Sequence, residues 1–145
     1  MFSDIRGYTG ITENLTADET VSFLNEYFSL MVDIIFANKG VLDKYIGDAI
    51  MSVFGVPYAR EDDALRGVLT AIQMQERLSA YNDQRMELGK TPIAIGVGIC
   101  TGDVVSGNIG SERRASYGAV GTPINAAYRI ESFTIGGQIL ISPTT

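Results

Sequence analysis

The chain of 145 residues is 46% hydrophobic and has a formal charge of −6 with 11 basic residues. That is enough apolar material for one core, and too little positive charge, spread too thinly, to neutralise a nucleic-acid backbone. Histidine is absent, which excludes His-based triads, His general acid–base chemistry and nearly all zinc sites, so the chemistry falls to carboxylates, lysine, arginine, hydroxyls or a bound metal.

The opening "FSDIRGYTG" reads as an apolar strand ending at Asp4, followed by Gly7 and the hydroxyls of Tyr8 and Thr9. A strand that turns through glycine into a helix start offers backbone N–H groups to a phosphate, beside a carboxylate able to hold Mg²⁺. "TADE" is a capping box, with Thr16 as N-cap and Glu19 reaching back. The helix after it is expected to bury Val21, Leu24, Phe28, Met31 and Ile35 and to end at Gly40. Next, "GVLDKYI" and "AIMSVFGV" read as two strands with Gly47-Asp48 as a hairpin turn, which brings Lys44 and Asp48 to the same end of the sheet. Asp4 and Asp48, on separate strands converging on one sheet edge, form a pair able to bridge two hard cations, and such a pair suits in-line displacement at phosphorus.

A second long helix is predicted from "REDDALRG" to about Asn82, with Ala64, Leu65, Val68, Ile72 and Leu78 inward. Its acidic start, Glu61 to Asp63, complements the helix dipole. "PIAIGVGICTGDVVSGNIG" alternates like a strand, turns near Thr101-Gly102-Asp103 and continues as the second strand of another hairpin. Gly96 and Gly98 lie inside that strand and do not form a dinucleotide-binding loop. The lone Cys100 closes the apolar alternation as a core residue, consistent with a reducing compartment. After the polar loop "SERRAS", Thr122 is the expected N-cap of a short helix with Pro123 at its first position. That helix, to about Ser132, places Asn125 and Arg129 on one face, one turn apart. "GGQILIS" closes as a strand.

Hairpins with helices collected on one face describe a single α+β domain rather than a doubly wound sheet. The abrupt ends, "MFSD" and "SPTT", read as those of a piece excised from something longer. No apolar run approaches the length of a membrane span, and the start has neither a basic nor an apolar leader region, so the segment is expected to be soluble and intracellular, without membrane contact of its own.

Taken together, "FSDIRGYT", "LDKYIGDAIMSVFG", "GVGICTGDVVSGNIGSERRASYGAVGTPINAAYRIES" and "GGQILIS" resemble, in order and spacing, the catalytic domain of class III nucleotidyl cyclases, the adenylate and guanylate cyclases. The resemblance covers essentially the whole chain. It implies a ferredoxin-like α+β core with an antiparallel-rich sheet and helices packed on one face, working as a head-to-tail homodimer with nucleotide at the interface. It further implies two Mg²⁺, replaceable by Mn²⁺, held by Asp4, Asp48 and the backbone carbonyl of Ile5. Asn125 matches the residue that orients the ribose, Arg129 the one that stabilises charge on the reacting α-phosphate, and Lys44 the one that reads the purine. A cytosolic catalytic domain fused to regulatory or sensor domains is the implied setting.

An ammonium only donates, so Lys44 suits the N1 acceptor of adenine and opposes the donors on guanine, which favours ATP. The second purine-reading position falls on Gly118, which has no side chain, and keeps guanylate cyclase as the alternative. The family's final strands and a triphosphate-binding lysine lie beyond Thr145. Two rival classes are a silent regulatory module of the same fold and a phosphoacceptor receiver domain. Joint retention of Asp4, Asp48, Asn125 and Arg129 argues against the first, and the two hairpins against the second, whose sheet is parallel.

Overall fold

Reciprocal hydrogen bonds between Thr16 and Glu19 start the longest apolar helix: the Glu19 N–H donates to Thr16 Oγ1 at 3.2 Å and the Thr16 N–H to Glu19 Oε2 at 2.8 Å. The computed structural model describes all 145 residues. Its elements are β1 (Phe2–Ile5), α1 (Tyr8–Thr12), α2 (Ala17–Ala37), β2 (Val41–Ile46), β3 (Ala49–Val53), α3 (Asp63–Glu87), β4 (Ile95–Ile99), β5 (Val105–Ser111), β6 (Arg114–Val120), α4 (Thr122–Ser132) and β7 (Ile139–Ile141).

Five strands form one sheet in the order β2-β3-β1-β4-β7. β1 lies antiparallel to both β3 and β4, and β7 adds in parallel to β4. The run β1-α2-β2-β3-α3-β4 is therefore the ferredoxin-like unit, with β1 at the centre. The hairpin turn falls at Gly47-Asp48 as expected: Ile46 pairs with Ala49, and Gly47 takes a φ of 61° that glycine adopts without strain.

The second hairpin is a correction. β4 does not pair with β5; both of its edges are occupied, by β1 and by β7. β5 pairs instead with β6 through a two-residue turn, Ser111 opposite Arg114, as a separate two-stranded arm. Part of "SERRAS" is thus strand and not loop. Alternation identifies a strand but not its partner, and the polar residues from Arg114 to Ser116 are tolerated in β6 because they are exposed.

Helix faces are the next correction. α2 buries Phe23, Tyr27, Met31, Val32 and Ile35, while Val21 is 55% exposed. α3 buries Arg66, Thr70, Ala71, Met74, Leu78 and Tyr81, and leaves Leu65 59% exposed and Ile72 also outward. Arg66 fixes that rotation. Its Nη1 donates to the carbonyls of Asn38 at 2.8 Å and Lys39 at 3.1 Å, satisfying the chain end of α2, while Asp62 and Asp63 balance its charge. α2 is also long and apolar enough, by length and composition, to cross a bilayer, contrary to the expectation that no segment reaches that length; here its inward face is part of the main core with Ile95, Val97 and Ile99.

α2 and α3 share that core on one face of the sheet, but α4 lies on the other, so the helices are not all on one side. Glycine makes the second layer possible. Gly98 alternates with the core residues Val97 and Ile99, and a methyl added to it would overlap the Glu131 backbone nitrogen and come within 2.6 Å of the Glu131 Cα. Gly98→Ala should therefore lift α4 from the sheet and cost about 1–3 kcal/mol, read as a melting temperature several degrees lower in a thermal scan. α4 itself starts one residue earlier than expected, with Gly121 as N-cap and Thr122 already helical.

Candidate active site

β1 ends where the β2–β3 turn reaches it. The Ile5 N–H donates to Asp48 Oδ2 at 3.1 Å, which draws the turn carboxylate to the end of the central strand. The same end carries Asp4, and the two aspartates line a cleft of about 360 Å³ with Ile5, Arg6, Gly7, Tyr8 and Thr9. Gly7 is in the left-handed region, φ 67°, and is the N-cap of α1. Its φ turns the chain from strand to helix, and the first N–H groups of that helix have no partner within it. The six positions expected at the metal and phosphate end of the site, Asp4, Ile5, Gly7, Tyr8, Thr9 and Asp48, are thus brought together.

Arg6 is a member that the sequence reading missed. It sits 3.4 Å from Asp4 Oδ1, forms an ion pair with buried Glu131 of α4, and donates from Nη1 to the Thr134 carbonyl at 3.2 Å. Arg6 lies just past β1, in the turn before Gly7, where strand alternation no longer assigns a residue to a face. Burial holds the Asp4 carboxyl above its ordinary range; Arg6 opposes that, and the charge of Asp48 adds to it. Tyr8 is likewise raised, by burial and then by Asp48.

This donor set fits a hard divalent cation. Two carboxylates are the oxygen complement that Mg²⁺ takes when phosphates supply the rest. Asp4 is paired with Arg6 at 3.4 Å, and Asp48 has one oxygen engaged by Ile5. The mutual repulsion of the two is the electrostatic condition that a cation relieves.

Lys44 and Gly118 belong to a second cluster, where β2 meets β6. They meet at Asp43, a residue absent from the sequence expectations. Lys44 Nζ lies 3.5 Å from Asp43 Oδ2, and Asp43 Oδ1 accepts the Ala119 N–H at 2.9 Å, next to Gly118 on β6.

Asn125 and Arg129 form the third group. Both are exposed, whereas Ala127 and Glu131 of the same helix are buried against the sheet. Two residues are about 200° of helix turn, so Asn125 and Arg129 face away from their own sheet. One chain therefore does not gather them with Asp4 and Asp48.

Residues 1–145 match the family described as adenylate and guanylate cyclase catalytic domain. An adenylate cyclase of Anabaena cylindrica is 42% identical over 148 residues, covering 98% of this chain and 28% of that protein. The chain thus spans little more than a quarter of that relative's length. Among solved structures, the guanylyl cyclase Cya2 superposes with a TM-score of 0.92 at 49% identity, covering 99% of this chain and 73% of that one. The adenylyl cyclase CyaB from P. aeruginosa gives 0.93 at 36% identity, covering 98% and 74%.

Proposed function

The chain belongs to the adenylate and guanylate cyclase catalytic domain family, and from that premise we propose that it converts ATP to 3′,5′-cyclic AMP and pyrophosphate. The carrying observation is the convergence of Asp4 and Asp48 on one cleft beside the Gly7 turn. In this reading Asp4, Asp48 and the Ile5 carbonyl hold two Mg²⁺, or Mn²⁺ in their place. Bound there, the cations supply acidification of the ribose 3′-hydroxyl and neutralisation of phosphate charge. The N–H groups after Gly7 receive the phosphates, with the Tyr8 and Thr9 hydroxyls alongside.

Asn125 orients the ribose, and Arg129 places a guanidinium where negative charge is redistributed on the α-phosphate, a role worth about 10²-fold or more in rate. Because Asn125 and Arg129 face off their own sheet, the partner of a homodimer supplies them to the cleft. Exposed apolar side chains, Val105 and Tyr117 on the β5–β6 arm and Phe133 and Ile135 just after α4, give the dimer surface to bury. The 145 residues are one catalytic domain of a longer, cytosolic signalling protein in which other domains regulate second-messenger synthesis. Incubation with ATP and with GTP under Mg²⁺ and Mn²⁺, with product nucleotide and pyrophosphate both measured, tests the reading; no cyclic product from either would overturn it.

Lys44 favours ATP, because an ammonium complements the N1 acceptor of adenine and opposes the N–H of guanine. A second reading, GTP, is supported by Gly118, which offers no acceptor for the adenine amino group, and by the similarity to a guanylyl cyclase at 49% identity. Lys44→Glu exchanges donor for acceptor, so activity should move from ATP toward GTP, by 10-fold or more in relative kcat/KM at ~1.4 kcal/mol per decade. An unchanged ratio would remove Lys44 from base reading.

A further inference from the structure

Lys44 and Gly118 stand at the two purine-reading positions, yet one has a flexible side chain that is 55% exposed and the other has none. We propose that Asp43 is the positioning residue that makes this pair selective: anchored beside Gly118 on β6, it fixes the Lys44 ammonium in front of the purine. The inference rests on the reading of Lys44 as the base contact.

Consecutive residues of a regular strand point to opposite faces, so Asp43 and Lys44 of an ideal β2 could not pair. The register of β2 against β3 shifts between Leu42, opposite Ser52, and Lys44, opposite Met51. Asp43 is the residue left over at that bulge, and bulges re-aim side chains. Here the bulge brings the Asp43 carboxylate to 3.5 Å from Lys44 Nζ.

Burial makes Asp43 the fixed member of the pair. Its side chain is 4% exposed, and Oδ1 is tied to the Ala119 N–H of β6 at 2.9 Å. Oδ2 is buried and has no hydrogen-bond partner, so Lys44 is the cation that offsets its charge. Lysine has three donors on a stem with many rotamers. An anchored carboxylate beside it restricts those rotamers before substrate arrives and leaves donors free for a ring acceptor, which is preorganisation. The same carboxylate connects to position 118. A Cβ built on Gly118 would lie 3.5 Å from Asp43 Oδ1 and 3.8 Å from Oδ2, ordinary contact distances, so the carboxylate stands beside position 118 as well as beside Lys44.

Asp43→Asn separates the two roles of the residue. The amide oxygen still accepts the Ala119 N–H, whereas the amide NH₂ presented to Lys44 is a second donor and no longer an anchor. In the full-length enzyme, the ATP:GTP ratio of kcat/KM should fall about five-fold in Asp43→Asn, through KM for ATP more than through kcat. Adding Asp43→Asn to Lys44→Ala should change the ratio no further, because the residue acts only through Lys44. Equal loss with both nucleotides, an unchanged ratio, or effects that multiply independently in the double mutant would each overturn the proposal. A ratio that Lys44→Ala leaves unaltered overturns the purine reading itself; one that Lys44→Ala alters and Asp43→Asn does not overturns the role of Asp43 alone.

Discussion

Asp4→Ala and Asp48→Ala are each expected to abolish cyclase turnover, by more than about 10³-fold, since loss of a metal ligand removes several kcal/mol of transition-state stabilisation. The two variants should differ in stability. Asp48 Oδ2 accepts the Ile5 N–H at 3.1 Å, so Asp48→Ala leaves a backbone donor at the end of β1 without its partner and costs about 1 kcal/mol besides activity. Asp48→Asn keeps an acceptor for Ile5 and removes the charge, and should therefore fold like wild type and still be inactive. Asp4 is half-buried and paired with Arg6, and burial disfavours its charged form. Its removal ends the burial of that charge and the repulsion with Asp48 and leaves Arg6 its ion pair with Glu131, so Asp4→Ala should not lower the melting temperature. Activity with saturating Mn²⁺ and thermal melts on the same preparations check both halves. Near-wild-type turnover in Asp48→Asn would remove the metal assignment, because that variant changes only the charge.

What the sequence made legible was local. The capping box of α2, the Gly47-Asp48 turn and the glycine after β1 are all set by residues within a few positions of one another, and the structure contains each. Asp4 and Asp48 could be expected together because both stand at strand ends, and a hairpin turn next to a central strand leaves one place for them to meet. Features that depend on a distant partner were not legible. α2 and α3 carry apolar residues on more than one side, so spacing alone did not choose the face; Arg66, reaching the Asn38 and Lys39 carbonyls just past α2, chose it for α3. The partner of β5 was misread because β7, some 40 residues downstream of β4, takes the edge of β4 that β5 would have used. Asp43 was invisible for a sharper reason: a regular strand turns it away from Lys44, and only the bulge reverses that.

The orientation of α4 gives the other large effect. Ala127 and Glu131 face the sheet, and Asn125 and Arg129 face outward. If Arg129 serves the Asp4–Asp48 cleft of a partner, Asp48→Ala and Arg129→Ala homodimers should each be nearly inactive, since every composite site lacks one essential group. Mixing the two changes the distribution. In a heterodimer one site carries both lesions and the other carries neither, because a two-fold dimer has two equivalent sites. With random exchange about half of the dimers are mixed, and one site in two is intact in each, so about a quarter of wild-type activity should return. A site completed within one chain predicts no recovery, because each chain brings its own lesion to its own site. The measurement is cyclic nucleotide formed by an equimolar co-refolded mixture, with exchange confirmed by mass-tagged protomers. Activity no greater than the mean of the two parent variants, with exchange complete, would reject the shared site and require Arg129 to act from the chain that holds Asp48.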